Sequence, residues 1–106
     1  MIANTPKAPY YAVIFTSIRT DKGEKEYTKM AELILNLAKQ QEGFLGEESA
    51  RNTIGITVSY WKNLESIKAW KQHTDHKIAQ QKGKQDWYKH YKTRICKVER
   101  DYEFEL

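Results

Sequence analysis

One cysteine, Cys96, occurs in 106 residues, which excludes an intrachain disulfide, a cysteine zinc cluster and a haem-attachment motif. A lone thiol behaves as a small apolar side chain, so its expected place is the core. Glycine is also scarce, at five residues, and no glycine-rich strand-to-helix turn offers a flavin or nicotinamide its phosphate cradle. Long apolar runs are missing: none approaches the roughly 20 residues that span a bilayer. The start, Met1-Ile2-Ala3-Asn4-Thr5-Pro6, lacks the basic and apolar stretches of a signal peptide. The expected location is cytoplasmic, with no membrane partner. The net charge of +4 does not form a one-sign stripe. Bases and acids interleave, as in Lys22-Gly23-Glu24-Lys25-Glu26 and Lys97-Val98-Glu99-Arg100-Asp101, so no nucleic-acid partner is expected.

What is present is large side chains in a polar chain. Mean hydropathy is -0.82, yet 40% of residues are hydrophobic and 12% aromatic, more than a disordered chain carries. The length fits one domain, here residues 9–106 behind a short tail, 1–8.

Tyr10 to Arg19 alternates with apolar residues on both faces and reads as a buried strand. From Glu24 to Gln41, Tyr27, Met30, Ala31, Ile34, Leu37 and Ala38 recur at helical spacing, with Gly43 as the stop. Residues 44–51 and 54–61 alternate at period two around Asn52-Thr53, where Asn tolerates the positive φ of a tight turn, and predict a hairpin. Asn63 is the expected N-cap of a helix carrying Ile67 and Trp70. That helix is expected to break near Thr74-Asp75 and resume through Ile78. Lys82-Gly83-Lys84 reads as a loop, Gln85 to His90 as a short helical turn, and Tyr91 to Phe104 as a last strand with a bulge near Ile95-Cys96.

The resulting order is βαββαβ: an α+β, ferredoxin-like plan, with a four-stranded antiparallel sheet and both helices on one face. The other face is left bare although the first strand, Phe44 and Ile56 make it apolar. No remaining segment is long enough to cover it. A second copy is the expected cover, giving a homodimer with sheet faces opposed.

The GFLG approach to the second strand, Glu48, Arg51, the GITVSYW strand and above all the ESIKAWKQHTDHKIAQ helix resemble the antibiotic biosynthesis monooxygenase domain family, over roughly Tyr10 to Phe104. The resemblance implies a dimeric α+β barrel. Members of that family include cofactor-independent oxygenases of polyketide quinols, quinol monooxygenases, haem-degrading monooxygenases and many proteins without known activity, so the resemblance implies the fold more closely than the reaction. Trp70 matches the tryptophan that lines the family's pocket between helix and sheet. The haem-degrading branch departs from this chain twice. Gln80 stands where that branch has its iron-ligating histidine, and Thr16 where it has a strand asparagine.

His73 and His76, three apart on the helix, share a face and are the candidate catalytic bases; a structural role in helix capping or carbonyl bonding is the alternative. His76 is preferred as lying nearer the expected pocket mouth. Trp61, Trp70, Trp87 and Tyr91 are the candidate substrate-binding side chains, with core packing as the alternative. The expected function is cofactor-independent monooxygenation of a small phenol- or quinol-type ligand, with no metal. The alternatives are a non-catalytic small-molecule-binding or stress-associated dimer and a haem-binding relative.

Overall fold

Strands and helices follow in the expected order: β1 (Tyr10–Arg19), α1 (Glu24–Lys39), β2 (Phe44–Arg51), β3 (Gly55–Trp61), α2 (Leu64–Ala79) and β4 (Tyr88–Val98). The computed structural model describes residues 1–79 and 87–106. The expected Lys82-Gly83-Lys84 loop and Gln80 lie outside the described residues. The strands form one antiparallel sheet in the order β2-β3-β1-β4, which is the ferredoxin-like arrangement. No described helix is long and apolar enough to cross a membrane.

Both helices lie against the same side of the sheet. On α1, Met30 and Ala38 are buried and Tyr27, Ile34 and Leu37 half-buried, so the 3.6-residue stripe faces inward. Gly43 follows at φ 89°, and its carbonyl accepts from the Lys62 N–H at 2.8 Å. A side chain there would overlap Ser66 at the start of α2, so glycine is required both by the left-handed backbone and by the close approach. Asn63 caps α2 as expected, its Oδ1 accepting from the Ser66 N–H at 2.8 Å.

Several boundaries differ from the sequence reading. α2 does not break at Thr74-Asp75. The Thr74 hydroxyl donates back to the Lys71 carbonyl at 3.0 Å and Asp75 pairs with Lys71 at 3.0 Å, so both residues are satisfied inside the helix rather than competing with it. The hairpin turn has no positive-φ residue; it closes instead through Asn52 N–H to the Ile54 carbonyl at 3.1 Å. Tyr88, expected in a helical turn, opens β4, and that strand ends at Val98, leaving Tyr102 and Phe104 outside it. Pairing is regular through Ile95-Cys96, and the irregularity on this edge falls opposite Ile18/Arg19.

A second irregularity, between Phe44 and Gly46, changes which way Phe44 faces. Phe44 pairs with Trp61 and its ring meets the Trp61 ring at 5.4 Å, so it stands on the helix side and not on the open face. Cys96 is exposed rather than buried. It pairs with Ala12 on the helix-free side of an edge strand, where none of the described residues covers it.

Candidate functional site

Cross-strand partners share a face, so the register lays out the helix-facing side in four rows. They are Phe44–Trp61–Tyr11–Lys97, Glu47–Ser59–Val13–Ile95, Ser49–Thr57–Phe15–Thr93 and Arg51–Gly55–Ser17–Tyr91. On β3, which runs through the sheet's interior, the residues turned toward the helices are Gly55, Thr57, Ser59 and Trp61. Those turned away are Ile56, Val58 and Tyr60. A packed core would reverse this, with aliphatics under the helices. Small polar residues beneath the helices line a space for a ligand better than they fill one.

Two aromatic clusters bound that polar floor. At one end Trp61, fully buried, touches Trp70 of α2 with ring centroids 5.8 Å apart, and its Nε1 donates to Ser59 Oγ at 2.9 Å. Half-buried Trp70 stacks on His73 at 5.7 Å and 20°. The Nε2 of His73 is buried and has no hydrogen-bond partner among the described residues. A buried ring nitrogen left this way costs stability, and a ligand hydroxyl beside Trp70 would relieve that cost.

At the other end Phe15, Tyr88 and Tyr91 form a mutual ring cluster, with centroids 5.4 to 5.7 Å apart. Tyr27 of α1 joins Tyr88 at 5.7 Å and Trp87 at 6.0 Å. The Arg19 guanidinium lies 3.5 Å above the Tyr27 ring, donates to the Trp87 carbonyl at 3.1 Å and pairs with Glu24 at 3.4 Å. Arg51 reaches inward from β2 to donate to Ser17 Oγ at 2.6 Å, and Ser17 is 1% exposed. Any side chain at Gly55 would overlap that guanidinium; glycine clears its path. Burial first, then the hydrogen bond to Tyr27, pushes the Tyr88 hydroxyl well above the ordinary tyrosine value, opposed by the Arg19 and Arg51 charges.

The six residues singled out from the sequence therefore divide. Trp61, Trp70 and His73 come together. Trp87 and Tyr91 stand with the tyrosines instead: Trp61 pairs opposite Tyr11 and Tyr91 opposite Ser17, six residues along β1 and thus about 20 Å apart. His76 is exposed on α2, one turn beyond His73. The sequence reading missed Phe15, Ser17, Arg19, Tyr27 and Arg51. Parity was the available signal: once Trp61 is assigned to the helix side, Thr57, Ser59 and Gly55 follow, and through them Ser17 and Arg51.

On the opposite side the rows are Gly46–Tyr60–Ala12–Cys96, Glu48–Val58–Ile14–Arg94 and Ala50–Ile56–Thr16–Lys92. The chain's own termini cover only the first end. Ala3 N–H donates to Glu48 Oε2 at 2.8 Å, and the Tyr60 hydroxyl donates to Glu48 Oε1 at 2.7 Å. These bonds, Tyr60's first, hold the Glu48 carboxyl below its usual value, while burial and then Glu48 push the Tyr60 hydroxyl up to about 12. Thr5 donates to the Tyr10 hydroxyl at 3.0 Å, which donates to Asp101 at 2.5 Å. Thr16, aligned by resemblance with the haem-degrading branch's asparagine, sits on this open side between Ile56 and Lys92. The described residues therefore do not assemble that branch's set, nor any group of three His, Cys, Asp or Glu able to hold a metal ion.

This is the architecture of the antibiotic biosynthesis monooxygenase family, whose model matches residues 9–82, and the chain belongs to it. It is 45% identical over 101 residues to the uncharacterized protein YqjZ of Bacillus subtilis (strain 168), covering 93% of this chain and 88% of that protein. Among solved structures, PA3566 from Pseudomonas aeruginosa superposes with a TM-score of 0.68 at 12% identity, covering 92% of this chain and 99% of that one. A conserved protein from Methanosarcina mazei Go1 gives 0.68 at 11% identity, covering 88% and 94%. At such identities these two structures speak to the fold alone.

Proposed function

We propose that the protein binds a small phenol- or quinol-type molecule between its helices and sheet and oxygenates it without a bound cofactor, working as a homodimer through its open sheet faces. The observation that carries this reading is the Nε2 of His73, buried beside the Trp70 ring and without a hydrogen-bond partner among the described residues. A flat ligand would lie against Trp70, with a hydroxyl directed at that nitrogen. His73 would take the phenolic proton, and the anion's ring would then be electron-rich enough to reduce O2 directly in a space closed to water. For a simple phenol, one O2 converts a ring C–H into a quinone carbonyl and leaves its second atom as water; all four electrons come from the substrate. His73 is chosen over His76 because His76 is exposed.

Oxygen uptake tests the reading. With a monohydric naphthol as probe, the purified protein should consume O2 and form the quinone faster than the same protein after heat denaturation. Binding of the probe without uptake would leave a binding protein and remove the oxygenase.

A further inference from the structure

Arg51 stands on β2, yet its guanidinium ends on Ser17 of β1, two strands away in the sheet. It crosses β3 through the room left above Gly55, where a Cβ would overlap it. Strands are spaced by about 4.8 Å, so the reach is about 10 Å and takes most of the side chain's length. Holding a long, rotamer-rich side chain extended costs entropy, and an arginine that only solvated its charge would turn outward. Here the charge is pinned on the helix side, by a bond to a hydroxyl that is 1% exposed.

Charge does not balance around this corner. Arg19 is engaged by Glu24, by the Trp87 and Lys22 carbonyls and by the Tyr27 ring. Arg51 pairs with no acid among the described residues, and its bond to Ser17 leaves its other N–H donors without a partner there. Tyr88, raised well above the ordinary tyrosine value, stays protonated and supplies no compensating anion. Next to Ser17 in the same row stands Tyr91. Its ring is backed by Phe15 and by Tyr88, each at 5.4 Å, and yet Tyr91 is 42% exposed, so this end of β4 is open on the helix side. A flat ring fixed from behind therefore lies one strand spacing from a guanidinium whose fork matches a carboxylate.

We propose that this corner is a second binding site, separate from the pocket at Trp70 and His73, for a small aromatic carboxylate: the ligand's ring lies on Tyr91 and its carboxylate accepts from Arg51 beside Ser17. The site is on the helix side of the sheet, so a dimer through the open faces leaves it accessible. It does not depend on the oxygenase reading.

Isothermal titration of the full chain with 2-naphthoate, and with neutral 2-naphthamide, tests this at neutral pH. Naphthoate should bind saturably and naphthamide at least about tenfold more weakly. Arg51→Gln should weaken naphthoate at least about tenfold, the scale for losing a charge-assisted bond, and leave naphthamide unchanged. Gly55→Ala keeps the charge and moves it. Gly55 has no positive φ, so alanine suits its backbone, and the overlap falls on the flexible end of Arg51 rather than on main chain. Naphthoate should weaken as it does with Arg51→Gln, while the melting temperature stays close to that of the parent chain. Saturating naphthol should not compete. Failure of naphthoate to bind at millimolar concentration, undiminished binding to either variant, or competition by naphthol would overturn the second site; the oxygenase reading is decided separately, by oxygen uptake.

Discussion

Replacing His73 by Gln should slow oxidation of a phenolic substrate by about 10²-fold, the usual scale for a positioned base, while His76→Gln leaves the rate per folded molecule unchanged. Glutamine keeps much of the volume beside Trp70 and can hydrogen-bond a hydroxyl, but it cannot carry the proton away. The readout is initial oxygen uptake at saturating probe, normalised to folded protein by circular dichroism. Added imidazole should restore part of the His73→Gln rate, which a purely structural defect would not allow. Equal rates for both variants would remove His73 from the chemistry.

Trp61→Ala should destabilise the protein by about 3 to 5 kcal/mol, the range for deleting a buried aromatic side chain. Trp61 is 0% exposed, its ring contacts those of Phe44 and Trp70, and it joins the end of β3 to the start of α2. In a 106-residue domain that loss is a large part of the ordinary margin of stability. Urea unfolding followed by circular dichroism checks it. A change under about 1 kcal/mol would mean that the helix–sheet layer does not depend on this ring. Trp61→Phe should recover part of the loss, because it keeps a ring against Phe44 and Trp70 while giving up the bond to Ser59 and the indole's second ring.

The order of elements was legible in the sequence because the periodicities are clean: two for Tyr10–Arg19 and Gly55–Trp61, 3.6 for Tyr27 through Ala38. Asn63 and Gly43 marked ends for reasons the structure repeats, a side-chain cap and a left-handed backbone. What periodicity cannot carry is an offset in pairing. One extra residue between Phe44 and Gly46 moves Phe44 to the other face, and the alternation alone does not show it; Gly46, an isolated glycine inside a strand pattern, was the local signal of a bulge. The break expected in α2 failed for a related reason. Thr74 and Asp75 are good cap residues in isolation, but each finds a partner one turn back, at Lys71, inside the helix.

The site was half legible. Trp70 and His73 stand three apart on one helix, and Trp61 ends the preceding strand, so sequence distance brought them near one another. Trp87 and Tyr91 are also rich in aromatic character, but only the sheet register shows that they lie about 20 Å along β1 from Trp61. Arg51 and Ser17 are 34 positions apart, and their meeting depends on the empty space above Gly55. Cys96 illustrates the opposite failure. The general burial of free thiols gave the wrong place because Cys96 lies on the helix-free side of an edge strand, where none of the described residues covers it.

The central claim, that a small aromatic ligand lies against Trp70 and His73, is tested most directly by fluorine NMR. With all three tryptophans replaced by 5-fluorotryptophan, and the resonances assigned by single Trp→Phe variants, a naphthol would be titrated under anaerobic conditions. The account predicts saturable shifts at Trp70 and Trp61 with Trp87 unmoved. A saturable shift confined to Trp87, or none at any of the three, would contradict it.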